Sequence, residues 1–138
     1  MLFVAILCLV CHEILGLCVY NYKCIINRII DGDTVDVDID LGFDFWLRNQ
    51  RIRLAGIDAP ETRTRDLNEK AMGMLSKEFV ESVLVVNQTA ILRTTEYNNT
   101  GKYGRIIGDF EVYNPKINSW EMLTAMMLTE GYAVPYKS

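Results

Sequence analysis

The chain has 138 residues, about one domain's length, and half of them are hydrophobic, so it can bury a core and is not an intrinsically disordered segment. Its 18 acids against 14 bases give a net charge of -4 and a pI near 5.0, which argues against the broad basic surface typical of nucleic-acid proteins. Four cysteines, Cys8, Cys11, Cys18 and Cys24, crowd into the N-terminal stretch, and His12 is the only histidine. A disulfide framework spread along the chain is therefore excluded, as are zinc sites and triads built on several imidazoles.

Residues 1–18 form an apolar segment interrupted by His12 and Glu13, with no Lys or Arg ahead of it. Its unbroken part is shorter than the ~20 apolar residues that span a bilayer. Two readings stay open. The segment is a signal or anchor that exports or tethers the protein, or translation starts near Val19 and the protein is cytoplasmic. Membrane contact is expected only if the segment is translated and retained, so the compartment is not fixed by the sequence. Cys8-Leu9-Val10-Cys11-His12 has the spacing of c-type haem attachment, but it lies inside the apolar run with nothing upstream to export it, and is discounted.

Residues 19–138 read as one domain. Tyr22 to Ile30 is a β-branched strand that ends at the turn Asp31-Gly32-Asp33. Val35, Val37, Ile39 and Leu41 then alternate with Asp36, Asp38 and Asp40, the pattern of a half-buried strand with an acidic outer face. An EF-hand loop is excluded there, because its required Gly and Glu positions hold Leu41 and Leu47. A third strand runs from Trp46 through Ile57, and Pro60 ends it. Asp66 with Glu69 resembles a capping box and opens a helix whose apolar stripe is Leu67, Ala71, Met74, Leu75, Val80, Val83 and Leu84. Strands over Thr89 to Tyr97 and Arg105 to Tyr113 flank a Gly-containing loop, and Ser119 caps a last helix that Gly131 stops. Three strands, a helix, two strands and a helix make a β-rich α+β domain, either an open mixed sheet or a small barrel.

Three clusters could carry chemistry. Asp31 and Asp33 flank Gly32, where two carboxylates can converge on a metal or simply form an Asx turn. Arg53, Asp58 and Glu61 surround the rigid Pro60. A guanidinium there can clamp a phosphate, one carboxylate can hold a hard cation and another can accept a proton from water. Structural salt bridges would use the same residues. Lys102-Tyr103-Gly104-Arg105 suits a phosphate and a stacked base, and equally an ordinary hairpin loop.

In order along the chain, Ile30-Asp31-Gly32-Asp33-Thr34-Val35, Arg53-Leu54-Ala55-Gly56-Ile57-Asp58-Ala59-Pro60-Glu61-Thr62 and Lys102-Tyr103-Gly104-Arg105 resemble the staphylococcal nuclease (thermonuclease) family. The resemblance runs from about Lys23 to Lys137. It implies an OB-fold, a five-stranded Greek-key β-barrel with two packed helices. It further implies a calcium-dependent nuclease that hydrolyses phosphodiester bonds of DNA and/or RNA to leave 3′-phosphate ends; separately, a monomer is expected. By motif match, Asp33, Asp58 and the Ala59 carbonyl would hold Ca²⁺, with Asp31 close behind them. Glu61 would be the general base or orient the attacking water, and Arg53 and Arg105 would hold the scissile phosphate. Lys102, Tyr103 and Tyr136 would contact the substrate. The chain departs from the family at Ala59, often Thr, and at Val134, where an aromatic often covers the nucleotide. The alternative is a non-catalytic nucleic-acid-binding module of the same fold. The presence of Glu61 favours the enzyme, since a binder has no need of a water-activating carboxylate.

Overall fold

The computed structural model of the protein describes residues 20–94 and 105–137, so the segment 1–18 and the site candidates Lys102 and Tyr103 lie outside the described residues. In chain order the elements are β1 (Tyr20–Asp31), β2 (Thr34–Asp40), β3 (Trp46–Leu54), β4 (Ile57–Asp58), α1 (Leu67–Val83), β5 (Thr89–Thr94), β6 (Ile106–Asn114), β7 (Ser119–Met122), α2 (Leu123–Glu130) and β8 (Val134–Pro135). The domain is α+β and rich in strand.

The main sheet runs β3-β2-β1-β5-β6-β7, and β3 also pairs in parallel with β6. The other pairings in this sheet are antiparallel. Following the hydrogen bonds from β1 through β2, β3, β6 and β5 leads back to β1. The alternation on β2 behaves as its sequence demands: Val35, Val37 and Ile39 are buried, while Asp36, Asp38 and Asp40 face outward. Cys24, Ile26, Ile52, Leu54, Leu92 and Phe110 complete the centre of the core. Burial pushes the Cys24 thiol up to about 12, and it donates to the Ala90 carbonyl. That thiol is a packed core group with no reactive character.

Three small elements go beyond the predicted pattern. Gly56, at φ +75°, breaks the long third strand into β3 and the two-residue β4. β4 pairs with β8, which returns the C-terminal segment to the Asp58 loop. Ser119 belongs to β7 rather than to a helix cap. The start of α2 is capped from across the sheet: Asp109 on β6 accepts from the Thr124 backbone N–H and hydroxyl. Gly131, at φ +80°, does terminate α2.

Helix α1 buries the predicted stripe in its second half, where Val83 also packs against the core, but not in its first. Val80 and Leu84 are buried, but Leu67, Ala71, Met74 and Leu75 are exposed, and the inward positions of the first half are Gly73 and Ser76. The reason is distance. A Cβ on Gly32 would stand 2.8 Å from Ser76 Cβ, and one on Gly73 would stand 2.6 Å from the Glu61 carbonyl oxygen. The helix therefore lies too close to the β1–β2 turn and to the Pro60–Glu61 backbone for large side chains. Its cap is also half of the expected box. Asp66 accepts from the Asn68 and Glu69 N–H groups, whereas the Glu69 carboxylate accepts from the Thr64 hydroxyl.

Candidate active site

The β1–β2 turn, the end of β3 and the loop after β4 meet at one side of the sheet. They form a cleft of about 560 Å³ lined by Asp31, Asp33, Arg53, Asp58, Glu61 and Arg105, with Thr34, Asp36, Asn49 and Arg51 along its extension. Six of the sequence-nominated residues are thus brought together from four separate stretches of chain.

Asp33 is the deepest of them, only 4% exposed. Its Oδ2 accepts from the Ala59 N–H at 3.0 Å, and its Oδ1 accepts from the Thr34 hydroxyl at 3.0 Å. Burial raises its carboxyl above the ordinary range, opposed by the Ala59 hydrogen bond and by the Arg53 charge. Arg53 spans the two carboxylates: Nη1 lies 3.4 Å from Asp33 Oδ2 and Nη2 lies 3.3 Å from Asp58 Oδ1. Nη1 also donates to the Leu54 carbonyl at 3.2 Å. A planar fork held at both ends in this way has a fixed direction, which a lysine could not reproduce.

Asp31 fastens the loop that carries Glu61. Its Oδ1 accepts from the Thr62 hydroxyl at 2.5 Å and from the Thr62 N–H at 3.3 Å. Glu61 stands at the rim of the cleft. Partial burial first, and then the charges of Asp31, Asp33, Asp58 and Glu69, raise its carboxyl above the ordinary range. A base whose affinity for a proton is raised is better suited to draw one from water near neutral pH.

The parallel register Ile52 with Ile106 and Arg53 with Ile107 sets Arg105, just before β6, at the same rim. Tyr136 arrives from the other end of the chain: its N–H donates to the Gly56 carbonyl at 3.0 Å, and Arg53 Cζ lies 5.9 Å from its ring centroid. Ala59 is buried beside Asp33, and Val134 is exposed opposite Asp58 in the β4–β8 pair.

Sequence reasoning missed two contributors. Gly73 sets the distance between α1 and the Glu61 backbone, and only its presence as a glycine inside a helix hinted at a close approach. Arg51 lines the cleft extension and forms a two-pronged pair with Asp36 at 2.9 and 3.1 Å. The alternating Asp-x-Asp-x-Asp strand gave no sign of that partner.

The family described as staphylococcal nuclease homologue matches residues 51–138. The chain belongs to this family. A protein named Thermonuclease from Staphylococcus intermedius is 35% identical over 100 residues, 67% of this chain and 53% of that protein. A protein named ParB from Escherichia coli is 32% identical over 114 residues, 80% of this chain and 55% of that protein. The chain thus spans about half the length of the curated relatives it matches.

Oxygen-only donors suit a hard cation. Among the described residues, no group of three or more His, Cys, Asp and Glu side chains forms a ready metal cage. The donor set in the cleft is smaller: Asp33 and Asp58, already close enough to share one positive group, and the backbone between Asp58 and Pro60. That set fits an ion which takes the rest of its oxygen ligands from water and substrate.

Proposed function

We propose that the chain is a nuclease that hydrolyses phosphodiester bonds of DNA and/or RNA, depends on calcium and leaves 3′-phosphate ends. The observation that carries this reading is the clamp of Arg53 between Asp33 and Asp58, with Glu61 and Arg105 on the rim of the same cleft. The closed circuit of five hydrogen-bonded strands supports assigning residues 19–138 to a Greek-key OB barrel.

Asp33, Asp58 and the Ala59 carbonyl would hold Ca²⁺, which when bound supplies Lewis acidity at a phosphate oxygen. Arg53 and Arg105 orient the scissile phosphate and offset the charge that builds on its oxygens during displacement. Glu61 takes a proton from the attacking water or holds that water in line. Asp31 keeps Glu61 in place through Thr62. Tyr136, beside Arg53, contacts the sugar or base, and Lys102 and Tyr103, by their motif match, are further substrate contacts.

The test is incubation with heat-denatured DNA and with RNA, in calcium or in chelator, followed by analysis of the new ends. Calcium-dependent cleavage to 3′-phosphate termini is expected. Binding of the DNA without cleavage in calcium would establish instead the non-catalytic module.

A further inference from the structure

The cleft does not end at the residues around Arg53. It runs on along the outer face of β2 and β3, past Thr34, to Asp36, Asn49 and Arg51. Its two ends differ in charge. Asp31, Asp33, Asp58 and Glu61 gather at the first, about Arg53. At the second, one carboxylate meets two guanidiniums. Asp36 accepts from Arg51 Nε and Nη2 at 2.9 and 3.1 Å, and Arg28 Nη2 lies 3.5 Å from its Oδ2. One positive charge is left over, on Arg51 and Arg28 side chains that are 48% and 64% exposed.

Arg51 is held along one edge. Asp36 engages Nε and Nη2, and among the described residues no hydrogen bond uses Nη1. A guanidinium fixed side-on in this way still presents its outer edge to a second pair of oxygens. Strand geometry sets the spacing. Ile52 and Leu54 are buried, so Arg51 and Arg53 both project from the outer face of β3, leaving the strand roughly 7 Å apart. Successive phosphates of an extended single strand are separated by a similar distance.

A β-bulge completes the extension. Val37 pairs with Gln50 and Ile39 with Leu47, so Asp38 alone faces both Arg48 and Asn49. Asn49 takes a left-handed φ of 52°, and its N–H donates to Asp38 Oδ1 at 2.8 Å. Asn49 thereby lines the cleft, where its amide is an uncharged donor near Arg51.

We infer that Asp36, Asn49 and Arg51 form a second phosphate subsite, which receives the phosphate next to the scissile one. Arg51 offers its outer edge to that phosphate and Asn49 donates from its amide, while Asp36 orients the guanidinium and offsets part of its charge. The inference rests on the nuclease reading and deepens it: the preferred substrate is a strand with phosphates on adjacent nucleotides, rather than a single diester.

The test uses a thymidine dinucleotide joined by one phosphodiester, and the same dinucleotide with a phosphate added at its 5′ or its 3′ end. With the full chain in calcium, KM is expected to be about tenfold lower for at least one phosphorylated form. Arg51→Ala should remove that gain from one of them. Each variant's own bare dinucleotide is the reference, so a change in stability cancels from the ratio. Asp36→Asn keeps an oxygen for Arg51 Nε and removes the charge, so the gain should grow. A merely structural pair would make the two substitutions act alike. In binding to single-stranded DNA, the third contact steepens the salt slope by about -0.7 beyond that from Arg53 and Arg105. The inference is overturned if neither added phosphate lowers KM in the parent, if every gain survives Arg51→Ala, or if Asp36→Asn diminishes the gain. A parent that cleaves none of these substrates overturns the nuclease reading, and the inference with it.

Discussion

Gly73→Ala tests whether α1 positions the Glu61 backbone. An added Cβ would stand 2.6 Å from the Glu61 carbonyl oxygen, 2.8 Å from its carbon and 2.8 Å from the Pro60 oxygen. All three are main-chain atoms, so no rotamer change relieves the overlap. Restoring an ordinary contact requires the loop to move by about 0.8 Å. Alanine gains about 1 kcal/mol in helix propensity, but overpacking against an immovable backbone costs about 1–3 kcal/mol. The overlap therefore wins, and stability is expected to fall by about 1 kcal/mol, visible as a drop of roughly 4 °C in thermal midpoint. On the role proposed for Glu61 the effect on turnover is larger, since a displacement near 1 Å of a water-orienting group costs about 10²-fold. Arg53 and Arg105 are not displaced, so kcat should fall while KM for a short oligonucleotide holds. Met74→Ala, on the exposed face of the same helix, is the control and should leave both unchanged. A folded Gly73→Ala chain with kcat within twofold of the parent would refute the reasoning.

Glu61→Gln is expected to lower kcat about 10²- to 10⁴-fold with DNA binding nearly intact; an unchanged rate removes Glu61 from the mechanism. Burial raises the Asp109 carboxyl above the ordinary range, against its hydrogen bonds from Thr124 and Phe110. Folding therefore favours its protonated form, so its contribution to stability is full below the unfolded value near 3.8 and is lost as pH rises through the folded value. Urea midpoints should show a shallower decline across that window in Asp109→Asn than in the parent, and equal slopes would contradict the assignment. The peptide containing Cys24 should escape iodoacetamide in the native protein and react in denaturant, as a thiol pushed up to about 12 requires; rapid native labelling would place Cys24 outside the core. On the proposed assignment of the phosphate contacts to Arg53 and Arg105 alone, the slope of log affinity against log salt for single-stranded DNA should be only about -1.4, and a slope several times steeper would point to a basic surface beyond the cleft.

The motifs were legible because each is local. A turn such as Asp31-Gly32-Asp33 or a stiff Asp58-Ala59-Pro60-Glu61 segment carries its geometry in adjacent residues, and the period-2 pattern of Val35, Val37 and Ile39 states which face is buried. What the sequence withheld depends on distant pairing. Asp109 caps α2 from the neighbouring strand, a role no spacing near Thr124 could announce, and Ser119 was the nearest residue of the right chemistry. Apolar periodicity on α1 pointed to Leu67, Met74 and Leu75, but the packing is set by how closely the Gly32 turn and the Pro60–Glu61 backbone approach. Small residues rather than large ones mark that face, and a hydrophobic pattern is blind to them.

The acidic balance is the point at which composition and fold first disagree, and the pairings explain the difference. The stretch from Asp31 to Asp44 holds six acids and no base, which in isolation would repel a polyanion. In the folded sheet, Asp36 faces Arg51 and Arg28, and Asp38 faces Arg48, all across strand neighbours. Asp38 also accepts from Asn49 and Asn27, contacts that hold its carboxyl below the ordinary range. Asp33 faces Arg53, and Asp31 is bound to Thr62. Asp36 and Asp38 on the outer face are thus met by arginines of β1 and β3, while at the turn Asp33 meets the Arg53 guanidinium and Asp31 is held by Thr62. Net charge measures the sum of these groups and is silent on their placement, which pairs Asp33, Asp36 and Asp38 with arginines inside the sheet.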